Sequence, residues 1–157
     1  MKKLQSLFAF LLISAVAFAG GPGDPKKESL KIGDKYPNAK QQLFAASGNE
    51  STTLDNLKRE NGLLVIFSCN TCPFVVAWED RYNKIHEVAK RNNVGMVLVN
   101  SNQAKRDGDD SRQAMHQHAK ELGYTMPYLV DENSELANAF GAKTTPHVFL
   151  FDKNGKW

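Results

Sequence analysis

Cys69 and Cys72 are the only cysteines in the chain, separated by Asn70 and Thr71. At that spacing the sulfurs can close a small disulfide ring or act as a dithiol. The pair sits between an apolar run at 63–67 and a helical pattern that opens at Pro73. Free backbone N–H groups and the positive end of the dipole at a helix start favour thiolate over thiol. Cys69 is therefore expected to be exposed, to have a lowered pKa and to act as nucleophile. Cys72, one turn further in and more enclosed, is expected to resolve a mixed disulfide. Pro73 fits, because proline in a first helical turn loses no hydrogen bond.

Three other uses of the pair compete with this one. Haem attachment takes a histidine directly after the second cysteine, and Pro73 stands there. Zinc would need two further ligands, and His116 and His118, two apart on a helix, point away from each other. A purely structural disulfide over four residues would constrain little of the chain. Redox exchange is the expected chemistry, with a redox-inert binding module holding a structural Cys69–Cys72 disulfide as the non-enzymatic alternative.

A second group of candidates is Thr144-Thr145-Pro146-His147, just before the last apolar run. Proline donates no ladder hydrogen bond, so Pro146 belongs at a strand start. His147 is a candidate pH-sensitive partner of the sulfurs.

The positioning elements alternate between two periods. The runs at 63–67, 94–99 and 148–151 read as strands, the first two buried on both faces as in a parallel sheet. From Pro73 to about 91, Val75, Trp78, Tyr82, Ile85 and Ala89 step by three and four along one helix face. That places Trp78 in the core and leaves Glu79 and Asp80 solvated. Helices are also expected over 111–122 and 134–140, each stopped by a glycine. The mixed-sign loop at 105–110 reads as solvated. Residues 30–57 read as irregular, with one or two short strands. Alternating strands and helices imply an α/β fold. Asn154-Gly155 signals a hairpin turn whose return strand would start at Lys156, so the domain is expected to be truncated before its last strand and helix.

The chain has 157 residues, which suits one domain. Its formal charge of +3 is spread out, without the basic stripe of a nucleic-acid binder. Residues 1–19 read as a cleaved signal peptide: Lys2 and Lys3, an apolar run at 7–18, and a small-x-small site ending at Ala19. Residues 20–29, rich in glycine and proline at their start, read as a flexible leader, and residues 30–157 as the folded domain. Export would let a cysteine pair be held oxidised.

Four segments resemble the thioredoxin-like superfamily in family order: 63–74 (LLVIFSCNTCPF), 97–102 (VLVNSN), 127–132 (PYLVDE) and 139–152 (AFGAKTTPHVFLFD). Within it the chain is most similar to exported thiol–disulfide oxidoreductases of the redoxin, or alkyl hydroperoxide reductase/thiol-specific antioxidant (AhpC/TSA), group. The resemblance implies a central mixed sheet flanked by helices and catalysis by Cys69 and Cys72. It implies a cis Thr145–Pro146 bond packed against the pair, and backbone pairing of Thr145 with an extended substrate. Asn70, Thr71, Pro73, Thr145, Pro146 and His147 make up the expected substrate-binding and support set. Two departures from thioredoxin stand out: Ser68 replaces its tryptophan before the first cysteine, and Leu63 replaces its buried acid. The peroxidase pattern Pro-x-x-x-Thr/Ser-x-x-Cys is also absent, since Ile66 and Cys69 occupy its Thr/Ser position for the two cysteines. A peroxiredoxin-like antioxidant peroxidase is the alternative enzyme. No metal or organic cofactor is expected. The expected partners are exported protein thiols or disulfides and an upstream electron donor or acceptor. No nucleic acid and no membrane span after cleavage are expected, and the protein is expected to be a periplasmic or secreted monomer.

Overall fold

The computed structural model describes residues 28–157, so the signal peptide and all but the end of the leader lie outside the described residues. Strands β1 (Leu43–Ala45) and β2 (Ser51–Thr52) are followed by the short helix α1 (Leu54–Leu57) and strand β3 (Gly62–Ser68). Helix α2 (Pro73–Val76), a 3₁₀ turn (Glu79–Arg81) and helix α3 (Tyr82–Arg91) lead to β4 (Val94–Asn100). After a second 3₁₀ turn (Gln103–Lys105) come α4 (Arg112–Glu121), β5 (Tyr128–Val130), α5 (Glu135–Phe140) and β6 (His147–Phe151). The six strands form one mixed sheet in the order β2-β1-β5-β4-β3-β6. The β3–β4 and β4–β5 pairs are parallel, and β6 runs antiparallel to β3 with Phe67 opposite His147. This is the α/β sandwich that the alternating pattern implied.

β3 and β4 are apolar up to their last residues, Ser68 and Asn100, because both faces are covered. Leu63, Val65, Phe67, Val97 and Val99 point into one core with Leu136, Phe140, Phe149 and Phe151. Ile66, Met96 and Leu98 point into the other, with Val75, Tyr82, Met115 and Tyr128. Phe67, Phe140 and Phe149 pack edge to face, with ring centroids 5.2–5.9 Å apart, the arrangement that aromatic quadrupoles favour. Gly95 is where β4 passes under α1: a Cβ there would collide with the Leu57 carbonyl.

Several expectations are corrected. The 73–91 pattern is not one helix. At Ala77 and Trp78 the chain leaves the α-helix for a 3₁₀ turn, which shifts the phase of the faces. Val75 and Tyr82 stay buried, but Trp78 is 52% exposed, with the Arg81 guanidinium over its ring at 4.9 Å. The same shift turns Glu79 inward, so it is buried rather than solvated and bonds to His118 Nε2 at 2.8 Å. The turn at 152–155 reverses the chain, with Asp152 N–H donating to the Lys156 carbonyl at 2.8 Å; Lys156 also bridges to Lys35, and the Trp157 carbonyl accepts from Gly33 N–H. The fold takes hold slightly before residue 30: the Ser29 hydroxyl donates to the Gly141 carbonyl, where Gly141 in the left-handed region ends α5. Among the described residues no helix is long and apolar enough to cross a membrane.

Candidate active site

β3 ends at Ser68, and the Cys69–Cys72 loop bridges from it to α2 at the C-terminal edge of the parallel strands, where α/β folds place their sites. Pro73 is the first helical residue and Cys72 the N-cap, with extended backbone (φ −71°, ψ 123°). Both cysteines are free thiols. The segment before β6 meets them from the other side. There the Thr145–Pro146 bond is cis, and Thr145 lies against both sulfurs. The Thr145 hydroxyl lies 3.5 Å from Cys69 Sγ, and the Cys72 thiol donates to the Thr145 carbonyl at 3.2 Å.

The two sulfurs differ in the sense opposite to the sequence expectation. Cys69 is the buried one, 4% exposed, packed with Ile66, Val75 and Tyr82. Cys72 is half-buried. Cys72 stands at the N-terminus of α2 as its N-cap, while Cys69 lies at the end of β3 against the core. Burial pushes the Cys69 thiol up, against hydrogen bonds from Thr145 and from the N–H groups of Cys72 and Thr71, and the Asp110 charge pushes it further. At Cys72 desolvation also pushes upward, but hydrogen bonds from Thr145 and the N–H groups of Val75 and Phe74 outweigh it. The net direction there is down. Thiolate character and access therefore coincide at Cys72.

A buried polar network grips the other end of the loop. Asp110, fully buried, accepts from Asn70 N–H and from Asn100 Nδ2 at Oδ1, and from Asn102 Nδ2 at Oδ2, each at 2.7 Å. The Asn70 side chain donates to the Asp109 carbonyl and accepts from the Tyr128 hydroxyl, which in turn accepts from Asn100. Arg106 ties down the Asp110 and Asn100 carbonyls at 2.8 Å each. The loop at 105–110, expected to be solvated, thus sends its last residue into the interior. One sequence signal pointed there: β4 ends in Asn100, a polar residue closing an apolar run at the same sheet edge as the cysteines.

A cleft of about 390 Å³ opens over the sulfurs, lined by Cys69, Thr71, Cys72, Ser101, Asn102, Ser134, Asn138 and Lys143 to Thr145. Of the support residues expected from the sequence, Asn70, Thr71, Pro73, Thr145 and Pro146 lie in the loop or the segment facing it. His147 does not meet the sulfurs. Its Nδ1 accepts from Lys143 N–H at 3.2 Å and its ring stacks on Phe149 at 4.5 Å. No cluster of three or more metal-ligating side chains occurs among the described residues.

The redoxin family model matches residues 31–156. A curated relative, the thiol-disulfide oxidoreductase ResA of Geobacillus thermodenitrificans, is 28% identical over 131 residues, covering 83% of this chain and 69% of that protein. The crystal structure of an uncharacterised conserved protein from Geobacillus kaustophilus superposes with a TM-score of 0.75 at 32% identity, over 80% of this chain and 66% of that one. A hypothetical protein of Sinorhizobium meliloti 1021 gives the same TM-score at 31% identity, over 82% and 69%. The chain thus spans about two thirds of the length of these relatives. It belongs to the redoxin family, with a thioredoxin-like fold.

Proposed function

We propose that this redoxin is an exported thiol–disulfide oxidoreductase whose working groups are Cys69 and Cys72. The observation that carries the reading is a pair of free thiols at a strand–helix junction, both touching Thr145 at the mouth of a cleft. Its relative's description as a thiol-disulfide oxidoreductase supports it. The signal-like start of the sequence supports export, where the partners are other exported protein thiols and disulfides.

In this reading the more exposed Cys72, at the start of α2, makes the first attack. Its thiolate adds to one sulfur of a target disulfide, forming a mixed disulfide and releasing the other target sulfur as thiolate, which takes a proton from water. Cys69 then gives up its proton, and its sulfur attacks Cys72. The Cys69–Cys72 bond forms, the mixed disulfide breaks and the second target sulfur leaves. Two electrons pass from the dithiol to the target, and running the same steps backwards oxidises a target dithiol. The Thr145 hydroxyl, 3.5 Å from Cys69 Sγ, can donate to a thiolate there. The exchange needs no metal and no organic cofactor.

The test is disulfide exchange in the reduced protein, read as cleavage of insulin's interchain disulfides. Cleavage lost in both Cys69→Ser and Cys72→Ser supports the proposal. Wild-type rates no higher than those of a free thiol overturn it. Oxidation by hydrogen peroxide orders of magnitude faster than that of a free thiol would instead favour peroxidase chemistry.

A further inference from the structure

The cleft over the sulfurs carries one sign of charge. Its lining holds no carboxylate and a single ammonium, that of Lys143, and apart from the sulfurs its only apolar walls are the small side chains of Ala137 and Ala142. The donors on its far wall are spent inside the protein: the Ser101 hydroxyl donates to Asp131 at 2.8 Å, the Asn102 amide to Asp110 at 2.7 Å and the Ser134 hydroxyl to the Ser101 carbonyl at 2.6 Å. Asp131 and Asp110 are themselves buried and do not line the cleft. Lys143 differs from these donors. It is exposed, and among the described residues no carboxylate pairs with it. Its backbone N–H, which donates to His147 Nδ1 at 3.2 Å, fixes its place on the segment. It stands two residues before Thr145, which touches both sulfurs. Two residues span at most about 7 Å, so the ammonium serves groups within a residue or two of the reacting sulfur of a substrate.

This lining discriminates among the groups that flank a substrate's sulfur. An apolar side chain would find little more than two alanine methyls to bury against. A cationic one would face a like charge with no acid in the lining to offset it. We propose that the cleft selects disulfides that carry a carboxylate within two residues of the reacting cysteine, and that Lys143 is the residue that reads it. The proposal rests on the dithiol reading above and holds whichever of the two sulfurs attacks. Small peptide disulfides with free carboxylates and acidic stretches of larger chains share this chemistry. In either case the substrate disulfide takes two electrons from the dithiol: the Cys69–Cys72 bond forms, the substrate S–S bond breaks, and its two sulfurs leave as thiols with the two protons that the dithiol gives up. The ammonium takes no part in bond making. It raises the population of bound substrate through an ion pair in a cleft of one sign. An ion pair to so exposed a cation is screened by salt, so the discrimination is several-fold and falls with ionic strength.

The experiment measures how fast the reduced full chain reduces three small disulfides: oxidised glutathione, which is net negative, hydroxyethyl disulfide, which is neutral, and cystamine, which is cationic. Each rate is divided by that of free dithiothreitol with the same disulfide, which removes differences in intrinsic reactivity. The normalised rates should fall in the order anionic, neutral, cationic, with oxidised glutathione on the order of three-fold ahead of the neutral disulfide at low salt and less at high salt. In Lys143→Gln that lead should vanish, and in Lys143→Glu the order should reverse. Ratios among the three disulfides that survive both substitutions overturn the proposal, as does a common fall in all three rates, which would mean that Lys143 acts on the sulfurs and not on the substrate. A second arm uses two peptide disulfides that differ only in Glu or Gln beside the cysteine. A lead for the Glu peptide supports acidic stretches of larger chains as the source; a lead confined to glutathione supports small disulfides. Hydroxyethyl disulfide reduced no faster than by a free thiol would overturn the oxidoreductase reading and this one with it. Efficient reduction of all three at equal normalised rates would overturn only the role of Lys143.

Discussion

At its Cys69 end the cysteine loop is held by polar side chains that come from distant parts of the chain: Asp110 from the loop after β4, Asn100 from the end of β4 and Tyr128 from β5. At its Cys72 end it is held by local backbone. Pro73 sets the first turn, and the chain then runs out along an exposed apolar ridge of Phe74 (72% exposed), Val76 and Trp78. Two cysteines three residues apart thus receive different chemistry from different sources. The polar end buries a sulfur beside a negative charge, and the helical end presents one to N–H donors and solvent. Spacing alone brings the sulfurs together, and the supports on each side bury one and leave the other half-exposed.

The largest effect should come from breaking the pair. Cys69→Ser and Cys72→Ser should each lower disulfide-exchange rates by orders of magnitude, but for different reasons. Cys69→Ser keeps the attacking sulfur and loses the resolving one, so it should accumulate mixed disulfides with targets, detectable by mass spectrometry. Cys72→Ser should trap little. The reverse trapping pattern would return the first attack to Cys69 and would mean that the contrast between the two ends does not govern reactivity. In the wild type at pH 6–7, Cys72 should be alkylated several-fold faster than Cys69, in line with its lowered thiol pKa and greater access.

Smaller effects separate the two supports. Tyr128→Phe removes one partner of a buried hydrogen bond and Asn70→Ala one partner of a part-buried bond, a loss of about 1–3 kcal/mol in each case. Urea unfolding should show it as a lower midpoint. Trp78→Ala, on the exposed ridge, should change stability by no more than about 0.5 kcal/mol. A Trp78 variant as costly as the Asn70 variant would mean that the helical end is also held by packing.

The same division explains what could be read from the sequence. β3, β4 and β6 were legible because long apolar runs have few alternatives, and the cysteine loop was legible because it sits between two such elements. β5 was not, since three residues after Pro127 carry no measurable period. The 3₁₀ turn at Glu79–Arg81 was invisible because nothing in the sequence there breaks the helical pattern, and missing it misplaced Trp78 and Glu79 together. The exposure of the two cysteines is reversed because Cys69 packs into the core with Ile66, Val75 and Tyr82, contacts that the local spacing does not show. Asp110 was read as solvated because charged residues usually are. Its burial depends on three asparagine contacts and on Arg106, all long-range in sequence terms or set by loop shape.

The smallest effect concerns pH and tests whether stability and reactivity are separate properties of these regions. His86 is buried on α3 with its Nδ1 2.8 Å from the Thr125 hydroxyl, and His147 rests on Phe149; neither meets a sulfur. Burial, reinforced at His86 by Lys90 and Arg59 and at His147 by Lys143, lowers both pKa values below the ordinary 6.5. Between 6.5 and the lower folded values the unfolded chain binds more protons than the folded one, so stability rises with pH in that window. The contribution of the neutral histidines is therefore present in full above 6.5 and is lost as pH falls through 6.5 toward the folded values. Urea midpoints measured from pH 5 to 8 should decline on the acid side, and His86→Gln should flatten part of that decline. Over the same range Cys72 alkylation in His86→Gln should keep the wild-type pH profile, because the thiolate there depends on Thr145 and the N–H groups of Val75 and Phe74. A shifted alkylation profile in that variant would show that α3 feeds back on the sulfurs and that the helical end of the loop is not held by local backbone alone.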